Sequence, residues 1–237
     1  MVIVLITPIF FYFAIAKKSA VKKIINPPVN EVDALKAANS TVLEQVKGEK
    51  EKGIRPLGEK DHIFGKIDAP VKIIVYSDYE CPFCEEYYNE TLKKVKEDFA
   101  DKVVIAYRHF FISTHRGAMP AGLAAECAAE QGKFWEMSDL LYANAANNQM
   151  DADQFKKNAA DLKLDAKKFN ECFDTEKYKD KIAADVKEAK EFGVIGTPSS
   201  YVNGVFVAGA RPYEDYKNNA GEQKEGMRKI IEKALEQ

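Results

Sequence analysis

The chain is poor in residues that bind transition metals, with three histidines and four cysteines among its 237 residues. The histidines, His62, His109 and His115, are scattered and are interpreted as surface or packing residues. Only Cys81 and Cys84 have the close spacing of a zinc knuckle. Because a structural zinc site needs four ligands, one such pair does not complete it. No metal site is predicted, and a zinc-binding module is a remote alternative.

The chain also lacks a large surplus of either charge, since it contains 35 Lys and Arg residues and 37 Asp and Glu residues. Proteins that bind nucleic acids mainly through the phosphates carry a strongly basic surface. No nucleic-acid partner is therefore predicted. Internal repeats and low-complexity segments are absent as well, which favours an ordinary globular domain.

The first residues lack charge altogether, because residues 2–16 contain no acidic or basic side chain. This run is shorter than the roughly 20 residues of a membrane-spanning helix. It is long enough for the core of a signal peptide, and residues 14–16 resemble a cleavage site. Basic residues do not precede the run; four lysines follow it, between residues 17 and 23. We interpret residues 1–23 as a secretion signal or a membrane anchor, and whether residues 1–16 are cleaved stays open.

Residues 24–60 have the composition of a linker. Pro27 and Pro28 interrupt any helix, and residues 49–56 are charged and irregular. A thin apolar stripe between residues 35 and 46 is compatible with a short helix on the domain, a dimer contact or a solvated tether. The oligomeric state is therefore left open.

A buried strand followed by a Cys-x-x-Cys motif forms the centre of the chain. Residues 71–76 are apolar on both faces, and helical spacing of apolar residues begins after Cys84. Cys81 is therefore expected at a helix N-terminus, where free N–H groups and the helix dipole favour a thiolate. Pro82 suits the first helical position. This arrangement predicts Cys81 as the nucleophile and Cys84 as the resolving thiol. Four acidic residues close to the motif would oppose the thiolate by like-charge repulsion: Asp78, Glu80, Glu85 and Glu86.

The remaining pattern predicts an α/β domain from residue 61 to the end of the chain. A second buried strand, residues 103–107, completes a parallel strand–helix–strand unit. From about residue 118 to 192 only helical periodicity is present, which predicts an all-helical insertion of five helices. A hairpin around Asn203-Gly204 and a C-terminal helix follow.

With these elements in order, the chain resembles the DsbA-like thiol:disulfide oxidoreductases. The resemblance covers residues 61–237 and implies a thioredoxin-like mixed sheet with an inserted all-helical subdomain. The residues that carry it are Asp68-Ala-Pro-Val-Lys-Ile-Ile-Val-Tyr-Ser-Asp-Tyr-Glu-Cys-Pro-Phe-Cys84, Tyr107-Arg-His-Phe110, Ala124-Ala-Glu-Cys-Ala-Ala129, Gly132-Lys-Phe-Trp135, Gly193-Val-Ile-Gly-Thr-Pro198 and Val202-Asn-Gly204.

The resemblance implies a substrate-binding surface beside the cysteines. Thr197-Pro198 is similar to the family's cis-proline loop, and Ile195 and Thr197 would line the groove for the substrate chain. Pro82 and Phe83, within the motif, would add an apolar contact for unfolded chains. The most oxidising members of the family carry Pro-His at these two positions, so Pro-Phe leaves the potential of this pair undetermined.

Cys127 and Cys172 form the second cysteine pair. Each lies on an apolar helix face, so two buried free thiols are one interpretation. A structural disulfide across the insertion is the other, and some members of the resembled family have one. We favour the disulfide.

These observations predict an extracytoplasmic thiol:disulfide oxidoreductase, most simply an oxidase of cysteines in secreted proteins, placed in the periplasm or at the outer face of the membrane. Its partners would be reduced, unfolded chains and a membrane redox protein that resets the cysteines. No cofactor is needed, because the thiols carry the electrons. A disulfide isomerase or reductase on the same fold is the alternative, and a redox-inert chaperone-like binding module is an alternative of another class.

Overall fold

The computed structural model describes residues 54–237. The predicted leader, residues 1–23, and most of the predicted linker, residues 24–60, therefore lie outside the described residues. Within residues 54–237, no helix is long and apolar enough to cross a membrane.

A five-stranded mixed sheet forms the centre of the domain, in the order β1-β3-β2-β4-β5. The two central strands, β2 and β3, are parallel, and every other pairing is antiparallel. A short two-stranded ribbon, β6-β7, lies apart from the sheet. The strands are β1 His62–Gly65, β2 Val71–Ser77, β3 Val103–His109, β4 Ser199–Val202, β5 Val205–Ala208, β6 Tyr216–Lys217 and β7 Gln223–Lys224.

Eight α-helices surround the sheet in the described part of the chain. The first two are continuous through a π-helical turn, Tyr88–Leu92, so a single helical segment runs from residue 82 to 98. The helices are α1 Pro82–Tyr87, α2 Lys93–Asp98, α3 Ala118–Ala129, α4 Phe134–Ala146, α5 Ala152–Asp161, α6 Ala166–Asp174, α7 Lys179–Glu191 and α8 Met227–Leu235.

Both faces of the sheet are buried, which explains why β2 is apolar at nearly every position. Ile73 and Val75 face the larger core, which they share with the 82–98 segment, the inserted helices and α8. Ile74 and Tyr76 face a smaller core formed with residues near the end of α7 and with Ile54. The strand therefore ends at Ser77, inside the packed domain. Because β2 is packed on both faces, it holds the Cys81–Cys84 motif that follows in a fixed position.

The inserted helices α3 to α7 occupy residues 118–191, as the periodicity predicts. Cys127 on α3 and Cys172 on α6 are joined by a disulfide. Side chains of Asp151 and Asp165 cap the N-termini of α5 and α6, accepting from Gln154 N and Lys168 N at 3.0 Å each. These short helices thus depend on caps, a disulfide and packing rather than on length.

The β4–β5 hairpin turns at Asn203 and Gly204, whose φ angles are +46° and +84°. Positive φ at both central residues is the geometry that an Asn-Gly hairpin turn requires. This turn fixes the register Val202↔Val205, and pairing of β4 with β2 then places the start of β4 next to Tyr76, close to the motif.

Arg108 on β3 is fully buried and forms hydrogen bonds with several acceptors beside the smaller core. Its Nε and Nη2 contact the two carboxylate oxygens of Asp61 at 2.8 and 3.1 Å, and its Nη1 contacts Glu188 at 3.3 Å. Nη2 also donates to the carbonyls of Arg55 and Pro56. A buried guanidinium needs this complete set of acceptors, because an unpaired charge in a core is strongly destabilising.

The Arg108 contacts fix residues 54–60 to the domain, although the sequence pattern assigns them to the linker. Arg55 adds ion pairs to Asp61 and Glu188, at 3.1 and 2.6 Å. Leu57 packs against the smaller core. The charged composition of this segment predicts a solvated tether, but in the folded domain Arg55 takes part in a partly buried ion-pair network.

A second buried charge, Glu126 on α3, joins the sheet to the insertion. Its Oε1 accepts from His62 Nε2 at 2.9 Å, His109 Nε2 at 3.0 Å and Lys181 Nζ at 2.8 Å. Burial raises the pKa of Glu126, but the two histidines outweigh that effect and hold it well below its usual range. His62 and His109 thus act as structural partners of one carboxylate.

The disulfide gives the first testable expectation. Closing a separation of 45 residues should stabilise the domain by roughly 4 kcal/mol in the chain-entropy model. In a Cys81→Ser/Cys84→Ser background, where only the 127–172 pair responds to reductant, urea unfolding should show this loss when dithiothreitol is added. A Cys127→Ala/Cys172→Ala variant in the same background is the control and should not respond. Equal stability with and without reductant in the parent protein would contradict the expectation.

Candidate active site at the Cys81–Cys84 motif

The motif lies at the junction between β2 and the helical segment. Cys81 is the N-cap residue of α1, with extended backbone, and Pro82 follows at the first helical position. The N–H groups of Cys84 and Glu85 donate to the Cys81 carbonyl at 3.0 Å each. Both thiols are free in this structure. The pair is unequal in exposure: Cys81 is 7% exposed and Cys84 is completely buried.

The Cys81 thiol is strongly acidified, with its pKa lowered to about 6. The largest cause is a hydrogen bond from the Cys84 thiol, which outweighs the opposing effect of burial. The N–H groups of Cys84 and Phe83 and a contact with Thr197 add to it. Sequence reasoning assigns the acidity to the helix N-terminus. In the structure those N–H groups contribute, but the neighbouring thiol contributes more.

Cys84 has the opposite environment. Burial, together with the charge and hydrogen bond of Cys81, raises the pKa of its thiol well above the usual value. At neutral pH the arrangement therefore holds one thiolate and one thiol. Such a pair has one sulfur ready to attack a disulfide and a second, protonated sulfur to resolve the product.

The acidic residues near the motif do not prevent this acidification. Asp78 is buried and accepts from His115 Nδ1 at 2.6 Å, and Glu80 accepts from the N–H of Gly117. Glu85 accepts from Asn89. None of these carboxylates is among the main groups that shift the pKa of Cys81. The repulsion expected from the sequence is thus a minor effect in the folded protein.

The Asp78–His115 pair stands close to the motif. Burial lowers the pKa of His115, but the hydrogen bond and charge of Asp78, with smaller effects of Glu80 and Cys81, raise it overall. Burial raises the pKa of Asp78, against the effect of His115. A histidine that the sequence pattern interprets as a surface or packing residue therefore lies within the electrostatic reach of Cys81.

The loop before β4 closes the other side of Cys81. The Thr197–Pro198 peptide bond is cis, and Pro198 is buried. The Cys81 sulfur lies 3.7 Å from the Thr197 carbonyl oxygen and can donate to it when the thiol is protonated. The loop residues named from the family resemblance are thus brought to the nucleophile although they lie 116 residues away in sequence.

Apolar side chains are exposed on both sides of this contact. Phe83, two residues after Cys81, is 63% exposed, and Ile195, two residues before Thr197, is 94% exposed. Pro82 is exposed as well. Because large apolar side chains are costly to leave in water, their exposure beside a reactive sulfur is typical of a binding surface.

Two residues of the site escape sequence reasoning, Ser77 at the end of β2 and Tyr142 on α4. Ser77 is among the groups that lower the pKa of the Cys84 thiol, and its Oγ lies 2.8 Å from the Tyr142 hydroxyl. The only local signal is that Ser77 is a polar residue at the end of an otherwise apolar strand. Tyr142 has none, since it lies 58 residues beyond Cys84 within a helix of mixed polarity.

Comparisons with known proteins agree with this architecture. A family model described as thioredoxin matches residues 58–219. The crystal structure of oxidised BdbD from Bacillus subtilis superimposes with a TM-score of 0.64 at 22% identity, covering 78% of this chain and 98% of that one. Alpha-DsbA1 from Wolbachia pipientis gives a TM-score of 0.59 at 21% identity, covering 76% and 93%. The predicted α/β thioredoxin-like fold of the DsbA type is confirmed.

The curated relatives include an antiporter and a disulfide bond formation protein. Na(+)/H(+) antiporter NhaA 3 from Salinispora tropica is 37% identical over 149 residues, which is 62% of this chain and 22% of the antiporter. The chain thus spans about a fifth of the length of that relative. Disulfide bond formation protein D from Bacillus subtilis is 23% identical over 173 residues, which is 69% of this chain and 77% of that protein.

The unequal thiols lead to a direct test. The rate of alkylation of Cys81 by iodoacetamide, followed site-specifically against pH, should rise with a midpoint near pH 6. A Cys84→Ala substitution removes the main hydrogen bond, so the midpoint should move up, yet remain below the free-thiol value of about 8.5 because the backbone N–H groups stay. A midpoint that does not change in Cys84→Ala would show that the buried thiol is not the main cause.

Proposed function

This chain belongs to the thioredoxin family whose model matches it, and on that premise we propose that it is an extracytoplasmic thiol:disulfide oxidoreductase that oxidises cysteines of secreted proteins. The observation that carries the proposal is the unequal pair: an acidified Cys81 at a helix N-terminus beside a buried, protonated Cys84. The disulfide exchange proceeds through a mixed disulfide on Cys81.

The direction of electron flow follows from the same pair. A stabilised Cys81 thiolate lowers the free energy of the reduced protein relative to the oxidised protein, and a protein with a stable reduced form is a strong oxidant. Two substrate thiols are then oxidised to a disulfide while the 81–84 disulfide is reduced. An oxidant must restore the pair after each turnover, and we assign this step to a membrane redox protein. An isomerase or reductase would need a less stable reduced form.

The substrate is an unfolded chain with apolar side chains exposed. Phe83 in the motif and Ile195 in the loop before β4 both offer exposed apolar surface. The Thr197 carbonyl, already in contact with Cys81, is a backbone acceptor for an extended substrate. Pro82 adds exposed surface from the motif, while the buried Pro198 holds the loop that carries Thr197. A redox-inert binding module would not need the acidified thiol.

The compartment is inferred from two features. The uncharged run of residues 2–16 has the character of a secretion signal or membrane anchor. The Cys127–Cys172 disulfide supports a location where disulfides persist, since such bonds are rare in the cytosol. Together they favour the periplasm or the outer face of the cell membrane.

Disulfide transfer to a reduced, unfolded ribonuclease tests the proposal. The oxidised protein should pass its disulfide to the ribonuclease, and quenching followed by alkylation should show Cys81 and Cys84 becoming reduced. Phe83→Asn and Ile195→Asn should each slow this transfer by about three- to tenfold, because each removes apolar contact with the chain. Both variants should react with reduced glutathione, which is too small to cover the surface, at the parent rate.

Val205→Asn is the matched control, because Val205 is 66% exposed but lies beside the hairpin turn, at the far end of β4 from the loop. It should leave both rates unchanged. Failure of the oxidised protein to transfer its disulfide would refute the proposed activity. Equal slowing towards glutathione and ribonuclease would refute the role of Phe83 and Ile195 in binding.

A further inference from the structure

The buried side of Cys84 faces a set of hydroxyl groups that the exchange chemistry described above does not use. Ser77, 3% exposed at the end of β2, is among the groups whose hydrogen bonding lowers the pKa of the Cys84 thiol. Behind it, Ser77 Oγ and the hydroxyl of Tyr142 are 2.8 Å apart, and Tyr142 is 1% exposed. A continuous line of hydroxyls therefore runs from the resolving sulfur into the core.

Tyr107 on β3 adds a third hydroxyl next to this line. It is buried, and among the described residues it has no well-aligned hydrogen-bond partner, although it lies close enough to Tyr142 to affect it. Burial raises the pKa of both Tyr107 and Tyr142, and the charge of Cys84 raises it further. Both phenols therefore stay protonated at neutral pH.

Besides Ser77, the Thr197 side chain is among the main groups that lower the pKa of the Cys84 thiol. Cys81 faces it from the same helix, and Thr197 from the loop before β4. Tyr107 and Tyr142 are the titratable groups that face it from β3 and α4. No carboxylate or cation of the described residues is among the main groups that act on the Cys84 sulfur. A thiolate at Cys84 depends on hydroxyl donors.

We propose that Ser77 and Tyr142 form a two-step hydrogen-bond relay that stabilises the Cys84 thiolate whenever Cys84 is the attacking or leaving sulfur. Ser77 donates to the sulfur and acts as a catalytic residue, while Tyr142 donates to Ser77 Oγ and acts as a positioning residue. This inference deepens the proposed function and rests on it, because it concerns the second thiol of the same exchange.

A substrate thiolate attacks Cys81 Sγ of the 81–84 disulfide, a bond forms between the substrate sulfur and Cys81, and the bond to Cys84 breaks with its electron pair staying on Cys84. The negative charge thus moves from the substrate sulfur to Cys84, where the relay receives it. A second substrate thiolate then attacks the substrate sulfur and releases the Cys81 thiolate, so the substrate is oxidised and the motif reduced by two electrons. Cys84 finally takes up one proton from solvent.

The reverse step can be observed directly with Ellman's reagent. The reduced protein releases a first thionitrobenzoate when Cys81 attacks the reagent, and a second when Cys84 attacks the mixed disulfide on Cys81. The second release is independent of reagent concentration and isolates the chemistry of Cys84. Its dependence on pH reports the ionisation of that thiol.

Ser77→Ala and Tyr142→Phe should each slow the second release about tenfold at neutral pH and move its midpoint to higher pH, as expected for a lost hydrogen bond to a charge. The first release should keep its rate. Both substitutions preserve shape, and Phe at position 142 retains the ring contacts with Tyr79 and Tyr88.

Tyr79→Phe is the matched control. It removes a hydroxyl from another buried Tyr–Ser pair of the same core, in which the Tyr79 hydroxyl and Ser138 Oγ are 2.7 Å apart. It should leave both releases unchanged. A parental pH profile in Ser77→Ala and Tyr142→Phe, or equal slowing by Tyr79→Phe, would overturn the relay while the proposed function stands. Absence of any second release from the parent protein would overturn both.

Discussion

The mutual effect of the two neighbouring thiols on their pKa values is the interaction on which the proposed function of this domain depends. It lowers the pKa of Cys81 to about 6 while the pKa of Cys84 rises, so the two sulfurs take different roles at neutral pH. The backbone N–H groups at the start of the helical segment strengthen the effect without being its main source. The loop at Thr197 lies against the Cys81 sulfur, and the Ser77–Tyr142 hydroxyl pair is buried within the core.

Two buried ion-pair clusters give the site its rigid frame. Arg108 ties β3 to residues 54–61 and to α7 on one face of the sheet. Glu126 ties α3 to β1 and β3 on the other side of the domain. Because removing one partner of a buried charge is strongly destabilising, these clusters favour the observed arrangement of sheet and insertion. The position of the loop beside Cys81 follows from that arrangement through the pairing of β4 with β2.

Local patterns in the sequence are sufficient to predict the central strand, the Cys-x-x-Cys motif and the helix that follows. The periodicity and turn residues that indicate these elements are contiguous in the chain. Such patterns also predict the five inserted helices and the Asn-Gly hairpin. They do not reveal Ser77 with Tyr142, or Arg108 with its partners, because these contacts join residues 32 to 80 positions apart. The two-residue strands β6 and β7 are too short for any periodicity. The role of Arg55 is hidden because a charged, irregular segment has the same composition whether it is solvated or bound to a buried arginine.

The reduction potential of the 81–84 couple, measured by equilibration with glutathione redox buffers, tests the central claim most directly. If the folded protein stabilises the Cys81 thiolate as its geometry indicates, the potential should lie well above the thioredoxin value of about −270 mV and towards the value of about −120 mV for strongly oxidising relatives. In Cys84→Ala the pKa of Cys81 should rise. This result would show that the neighbouring thiol stabilises the Cys81 thiolate, on which the high potential depends. A couple at or below about −270 mV would contradict the account and identify the protein as a reductase.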